Sequence, residues 1–438
     1  APSPPGVARA FHAQDARFLQ PKAAAAFRAH SPAASADAAG FTRCQLWCAS
    51  VEEELNEFAY DAAQAGLSYS LDVVPGGLQL FVSGFSDKLP TLLEIVARKM
   101  REVSEVKPGT FAIVRDRAER DLQNLALKQR PCDLAARKAR ELQHSLTFTV
   151  EDRRAALQAM NASALDGESA RLLDECRVEA LVTGNVTAAD AAAIAGLAGG
   201  ALQSAREPEA LPVRAEMELP PGYTVWHIDG TNKEERNNNV RLEMQLPLDS
   251  DNYVYTALLV RILNPKFFEN LRTKQQLGYI VQLGSLEGDC LLSVACTVQT
   301  EYPTEYVRGQ IDAFLDEHLS WVESELDEAE FARQRAGLAS NLAEAPKNLF
   351  EEFSRYWVEV AKQRFDFGRR ERRRAAVEGA ELRGLRSFVK EKVRLAPRLY
   401  VEVHSTAPGT PKASPPPSAS AARVPDRVWA SAEEAWDF

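Results

Sequence analysis

Histidine, arginine and tyrosine are the residue types whose placement in this sequence bears most directly on chemistry. The six histidines are His12, His30, His144, His227, His318 and His404, and no two stand four residues apart. A helix that grips a hydrolytic metal through two imidazoles needs that i, i+4 spacing, with a glutamate beside them to activate the metal-bound water. No H-x-x-E-H can therefore be written anywhere in the chain. Spacing predicts no metal ligands. Arg272 and Tyr279 offer a different chemistry. An arginine is always charged and a tyrosine supplies a directional hydroxyl. Phe268 lies one helical turn before Arg272. By spacing alone the plainer reading is a surface salt bridge for Arg272 and sheet packing for Tyr279. No G-x-S-x-G elbow, P-loop or recognisable Cys–His arrangement suggests another nucleophile.

The elements that must position these residues repeat once along the chain. In the first copy, Ser50-Val51-Glu52-Glu53 has the form of a capping box opening a helix that stops near Gly66. Leu67 to Leu71 alternates like a strand, Pro75-Gly76-Gly77 turns the chain, and Leu78, Leu80 and Val82 alternate again. Leu89, Leu92, Leu93, Val96 and Met100 then recur at helical spacing. In the second copy, Asn264-Pro265 is placed to cap and start a helix ending near Gln276. Strands are predicted at Leu277 to Val281 and at Cys290 to Thr297, with a helix from Val307 to Leu319. Tyr69 and Tyr279 hold corresponding places in the two copies. Two copies of one α+β domain is the economical reading.

Composition sets the outer bounds. A chain of 438 residues is long for one core and suits two domains. The net charge of −10 argues against a general nucleic-acid binder, and no apolar run reaches the roughly 20 residues that span a bilayer. The six cysteines lack zinc-knuckle spacing and read as ordinary buried thiols of a reducing, soluble compartment such as the cytoplasm. Asn161-Ala162-Ser163 and Asn185-Val186-Thr187 match the glycosylation sequon, a pattern too short to argue secretion. The Ala-, Pro- and Arg-rich start suggests a transit peptide, but Asp15, Asp37 and the missing basic amphipathic period speak against one. Expected boundaries are a first domain over 1–210, a linker over 211–222, a second domain over 223–405, and a Pro/Ser-rich tail over 406–438. That tail is expected to be disordered over Ala407 to Ala422. Arg369 to Arg374 reads as a solvated helix start.

One stretch is specific enough to carry a resemblance. Phe267-Phe268-Glu269-Asn270-Leu271-Arg272-Thr273-Lys274-Gln275-Gln276-Leu277-Gly278-Tyr279-Ile280-Val281 resembles the F-x-x-L-R-T-x-x-Q-L-G-Y-x-V segment of the insulin-degrading-enzyme and pitrilysin family of zinc metallopeptidases. Leu55 to Tyr60, Ala65 to Tyr69, Gly184 to Thr187, Arg236 to Asn239, Arg355-Tyr356-Trp357 and Phe365-Asp366-Phe367 look familial in the same order. The resemblance implies the third and fourth of four homologous LuxS/MPP-like domains, each a mostly antiparallel sheet with helices packed on it. It further implies that Arg272 and Tyr279 stabilise the substrate carbonyl or oxyanion, and that Phe268 contacts substrate. Tyr69 has no arginine at the matching place and is expected to wall a core or cavity.

By the same resemblance the zinc belongs to an N-terminal catalytic half, in cis or in trans, and none is expected in this chain. The start at Ala1, at the family's third domain, reads as the edge of a fragment. Unfolded peptide would be the substrate. The competing reading is an inactive family member serving as a binding or scaffold subunit.

Overall fold

The computed structural model describes residues 3–202, 206–408 and 425–429. The strands are β1 (Arg9–Gln14), β2 (Lys22–His30), β3 (Ser68–Val74), β4 (Gly77–Phe85), β5 (Arg177–Gly184), β6 (Tyr223–Asp229), β7 (Asn238–Pro247), β8 (Ile280–Glu287), β9 (Leu291–Thr300), β10 (Arg398–His404) and β11 (Arg427–Trp429). The helices are α1 (Ala38–Glu54), α2 (Asn56–Gln64), α3 (Leu89–Glu102), α4 (Pro108–Leu127), α5 (Pro131–Gln143), α6 (Val150–Ala159) and α7 (Glu168–Leu173). They continue with α8 (Ala188–Leu202), α9 (Ser250–Phe267), α10 (Thr304–Ser324), α11 (Glu328–Ala343), α12 (Leu349–Ala361), α13 (Arg369–Glu378) and α14 (Leu382–Phe388).

The internal repeat holds for five strands of each sheet, and β11 adds a sixth to the second. One sheet runs β1-β5-β2-β4-β3 and the other β11-β6-β10-β7-β9-β8. In each, a parallel pair (β1 with β5, β6 with β10) leads into three antiparallel pairings. The repeated helix–strand–strand–helix unit places β3 and β8 at sheet edges, each entered directly from a helix.

The chain packs as two compact units. The first comprises residues 1–123, 146–215 and 345–367, and the second 124–145, 216–344 and 368–438. The sheets thus lie on either side of the expected linker, while one segment from each side of it joins the other unit. Part of the expected linker is itself packed. Met217 and Leu219 are buried in the second unit, and Leu219 N donates to Gln245 Oε1 at 2.7 Å.

In the first unit Trp47 of α1 is fully buried, with its Nε1 donating to Val103 O at 2.9 Å. Phe353, Trp357 and Val360 of α12 pack on Ala24, Ala26 and Leu181. In the second unit, period-2 alternation divides the sheet between two cores. Val240, Leu242, Met244 and Tyr400 face α9 and α10, whereas Leu399, Val401, Val403 and Trp226 face Leu134, Ala135 and Leu142 of α5.

Several local expectations differ from the structure. Ser50 does not open a helix. It lies buried inside α1 with its Oγ donating to Leu46 O, and Asp37 caps the helix instead by accepting from Gly40 N. Asn264 and Pro265 lie inside α9, which Asp249 caps by accepting from Asn252 N at 2.7 Å. Apolar periodicity does not reveal a start that is fixed by a cap thirteen or more residues upstream. Cys290 is exposed just before β9, unlike the other five thiols. Arg369 and Arg373 of the basic run are not simply solvated, because both pair with Glu287. The tail expected to be disordered falls mostly outside the described residues.

Candidate functional site

The predicted site residues lie where α9 gives way to β8. Pro265 has no N–H to give to the carbonyl one turn back, and α9 passes into a π-helical segment over Phe268–Lys274. Such widened turns occur often at functional sites, because they re-aim side chains without breaking the helix. The widened register appears in the bonds themselves: Gln275 N donates to Asn270 O and Leu277 N to Leu271 O, each at 3.0 Å. Gln276 then takes a φ of 54°, which turns the chain. The strand expected from Leu277 accordingly begins only at Ile280.

The loop between them is clasped from both sides. The Thr300 hydroxyl donates to Leu277 O at 2.5 Å, and Arg272 Nη1 donates to Gly278 O at 2.9 Å. Gly278 passes so close to β9 that an added Cβ would lie 1.8 Å from Gln299 O. Here the glycine is required by space, since its φ is not positive.

Arg272, Tyr279 and Phe268 come together around this clasp. The Arg272 guanidinium carbon lies 4.6 Å from the Tyr279 ring centroid and 5.8 Å from that of Phe268. These are cation–π distances that hold the three side chains in one patch. Tyr279 is 83% exposed and Phe268 47% exposed, unusually high for aromatics. Among the described residues Arg272 has no carboxylate partner, and nothing hydrogen-bonds the Tyr279 hydroxyl. The plainer reading, a salt bridge and a sheet-packed ring, is therefore not what the structure contains. Tyr69 differs: it sits half-buried in β3 opposite Val82, and burial, with Glu52 nearby, pushes its pKa up to about 12.

Phe268 and Tyr279 also line an open groove of about 790 Å³ within the second unit. Its remaining walls include Arg130 and Asp133 at the start of α5, Asn264 of α9, Arg241 of β7, Gln282 of β8 and Thr297 of β9. Such a surface, with an apolar ring, amide and hydroxyl groups and an edge strand, can hold an extended peptide. These wall residues escaped sequence reading because they come from five separate elements. Cys132 lines the groove too, but burial, aided by Asp133, raises its thiol pKa and leaves it a poor nucleophile. The H-x-x-E-H motif that the resemblance implies for an N-terminal half occurs nowhere in the sequence.

Comparison with known proteins bears on the family and the fold. Residues 6–156 match the family described as the middle or third domain of peptidase M16, and residues 258–357 match the PQQ synthase PqqF-like C-terminal lobe domain 4. Human insulin-degrading enzyme is 30% identical over 406 residues, covering 90% of this chain and 39% of that protein. Rat nardilysin is 27% identical over 387 residues, covering 87% and 32%. The chain thus spans well under half the length of these curated relatives. Among solved structures, pitrilysin superposes with a TM-score of 0.84 at 18% identity, covering 97% of this chain and 44% of that one. The peptidase M16 inactive domain from Pseudomonas fluorescens superposes at 0.69 and 13% identity, covering 94% and 98%. Two successive domain families, matched in order on a duplicated α+β fold, place this chain in the insulysin/pitrilysin family of M16 metallopeptidases, as a C-terminal half.

Proposed function

We propose that this chain is the non-catalytic half of a zinc metalloendopeptidase. It would close a peptide chamber and offer Arg272 and Tyr279 to the substrate carbonyl, with Phe268 contacting the peptide beside them. The observation that carries this reading is the pairing of an arginine that has no carboxylate partner among the described residues with a tyrosine 83% exposed, at a clasped loop on the rim of a groove. One arginine N–H holds Gly278 O, and its other donors remain to meet a charge developing on substrate. Water activation belongs to a metal held by an N-terminal half, in cis or in trans. The residues of this chain bind, orient and donate. Such a donor is worth about 3 kcal/mol when it is aimed at the transition state.

The test joins this chain to a family N-terminal half that bears H-x-x-E-H, in one polypeptide or by mixing. The isolated chain is expected to cleave no unstructured peptide, and the joined enzyme to cleave it in a zinc-dependent way. In that enzyme Arg272→Ala and Tyr279→Phe should each lower kcat by about 10²–10³ with a smaller change in KM. Unchanged kcat in both variants would overturn the proposed roles. The second reading, an inactive binding or scaffold subunit, draws on the Pseudomonas fluorescens inactive domain, which has nearly the same extent. Isolation of a stable native complex without any H-x-x-E-H protein would favour it.

A further inference from the structure

Outside the groove, three side chains converge at the C-terminal ends of two paired strands. His227 and Glu402 are direct partners in the parallel register of β6 and β10, and His404 follows Glu402 on the same face two residues later. His227 Nδ1 lies 3.0 Å from His404 Nε2 and 3.3 Å from Glu402 Oε2, and His404 Nε2 lies 3.8 Å from the same oxygen. We propose that His227, Glu402 and His404 form a divalent-cation site of the zinc class.

The triangle has the right size. A tetrahedral zinc ion with bonds of about 2.0–2.1 Å separates its ligand atoms by roughly 3.3 Å. The observed edges bracket that value, so an ion could seat with small rotations of two imidazoles. The donor set is right as well. Two imidazole nitrogens and one carboxylate oxygen suit zinc, and also cobalt, nickel and copper, ahead of magnesium or calcium.

The carboxylate is held as a ligand should be held. Glu402 is 1% exposed, and Arg308 Nε lies 2.8 Å from its other oxygen, Oε1. The buried carboxylate is partnered by the Arg308 guanidinium and by hydrogen bonds from His227 and Thr304, which fix its orientation. An ion on Oε2 would take the place of the His227 contact and leave the Arg308 pair on Oε1 intact. Arg308 would then act as the outer partner that fixes the orientation of the ligand, a role common around metal sites.

The imidazoles lie on the open side, with side-chain exposures of 44% for His227 and 38% for His404. A bound ion would therefore have three protein ligands and a fourth position facing solvent. Structurally it would cross-link the neighbouring strands β6 and β10, which are far apart in the sequence.

The experiment titrates Co²⁺ into the full chain carrying Cys290→Ser, which removes the one exposed thiol. One equivalent should bind with the intense visible absorption of tetrahedral cobalt, and one equivalent of Zn²⁺ should displace it. Zn²⁺ should also raise the Tm, because a ligand bound only by the folded state stabilises it. Since disturbing an outer partner alone costs 10–100-fold, His227→Ala and His404→Ala should each weaken binding by at least about 100-fold. Circular dichroism checks the fold of each variant, and His227→Ala, at the solvent rim, decides the matter if His404→Ala unfolds. Absence of tetrahedral cobalt binding to the parent, or binding unchanged in a folded His227→Ala variant, would overturn the proposal.

Discussion

Gly278→Ala tests the claim that the Arg272–Tyr279 loop is built by close backbone approach. The new methyl would lie 1.8 Å from Gln299 O and 2.9 Å from Gln299 C, so some group must move by about 1.2 Å to regain a 3.0 Å contact. Gln299 is paired on both sides, with Ile280 in β8 and Asn239 in β7, and therefore resists displacement. The alternative is that Gly278 retreats and gives up the Arg272 hydrogen bond, a charged bond worth about 1.5–3 kcal/mol. Overpacking adds about 1–3 kcal/mol, so with partial relaxation the expected loss is about 2–4 kcal/mol. Gly284→Ala, within β8 six residues further on, is the control. Nothing lies within 4 Å of its Cβ position, and its cost should stay within about 0.5 kcal/mol. Urea unfolding read by circular dichroism gives the midpoints, and hydrogen exchange should show protection lost at β8 and β9. Equal midpoints for the two variants would refute the reasoning.

Phe268→Ala removes a half-exposed ring from the groove and should raise KM for peptide about fivefold in the joined enzyme, with kcat nearly unchanged. Tyr400→Phe removes a 2.8 Å hydrogen bond to buried Asp312 and should cost about 1.5–3 kcal/mol by urea unfolding. In the first unit, burial works to raise the pKa of Glu179, but hydrogen bonds from His30 and Gln363 outweigh it and hold the carboxyl below its ordinary value. A depressed folded pKa contributes stability above the unfolded pKa of about 4.3, and that stability is lost as pH falls through the folded value. Glu179→Gln should therefore lower Tm at pH 7 and flatten its decline below about pH 4.

The duplicated fold was largely legible because the pattern that encodes it is local. Alternation at Val240, Leu242, Met244 and Leu246 marks a strand with one face toward α9 and α10, and the same logic marks β4. What could not be read was the partnership of distant segments. Residues 124–145 and 345–367 are amphipathic helices whose apolar faces carry no sign of which sheet they cover, and each packs beyond the expected boundary. Helix starts failed for a related reason. A Ser-x-x-Glu pattern caps a helix only if the chain is not already helical before it, and α1 has run for twelve residues by Ser50.

The same distinction separates the two candidate sites. Arg272 and Tyr279 stand seven residues apart on one helix–loop, so a linear motif contains them, and the fold adds only the π-helical turn and the glycine contact that hold their pose. His227 and His404 stand 177 residues apart, and no test of local spacing could join them. Their meeting follows from the parallel pairing of β6 with β10, in a register that sets His227 beside Glu402. A strand register slipped by one residue would turn Glu402 toward Leu134 and Leu142 and dissolve the cluster. The absence of H-x-x-E-H thus speaks only to ligands carried on one helix, and a strand-borne set has to be sought in the sheet.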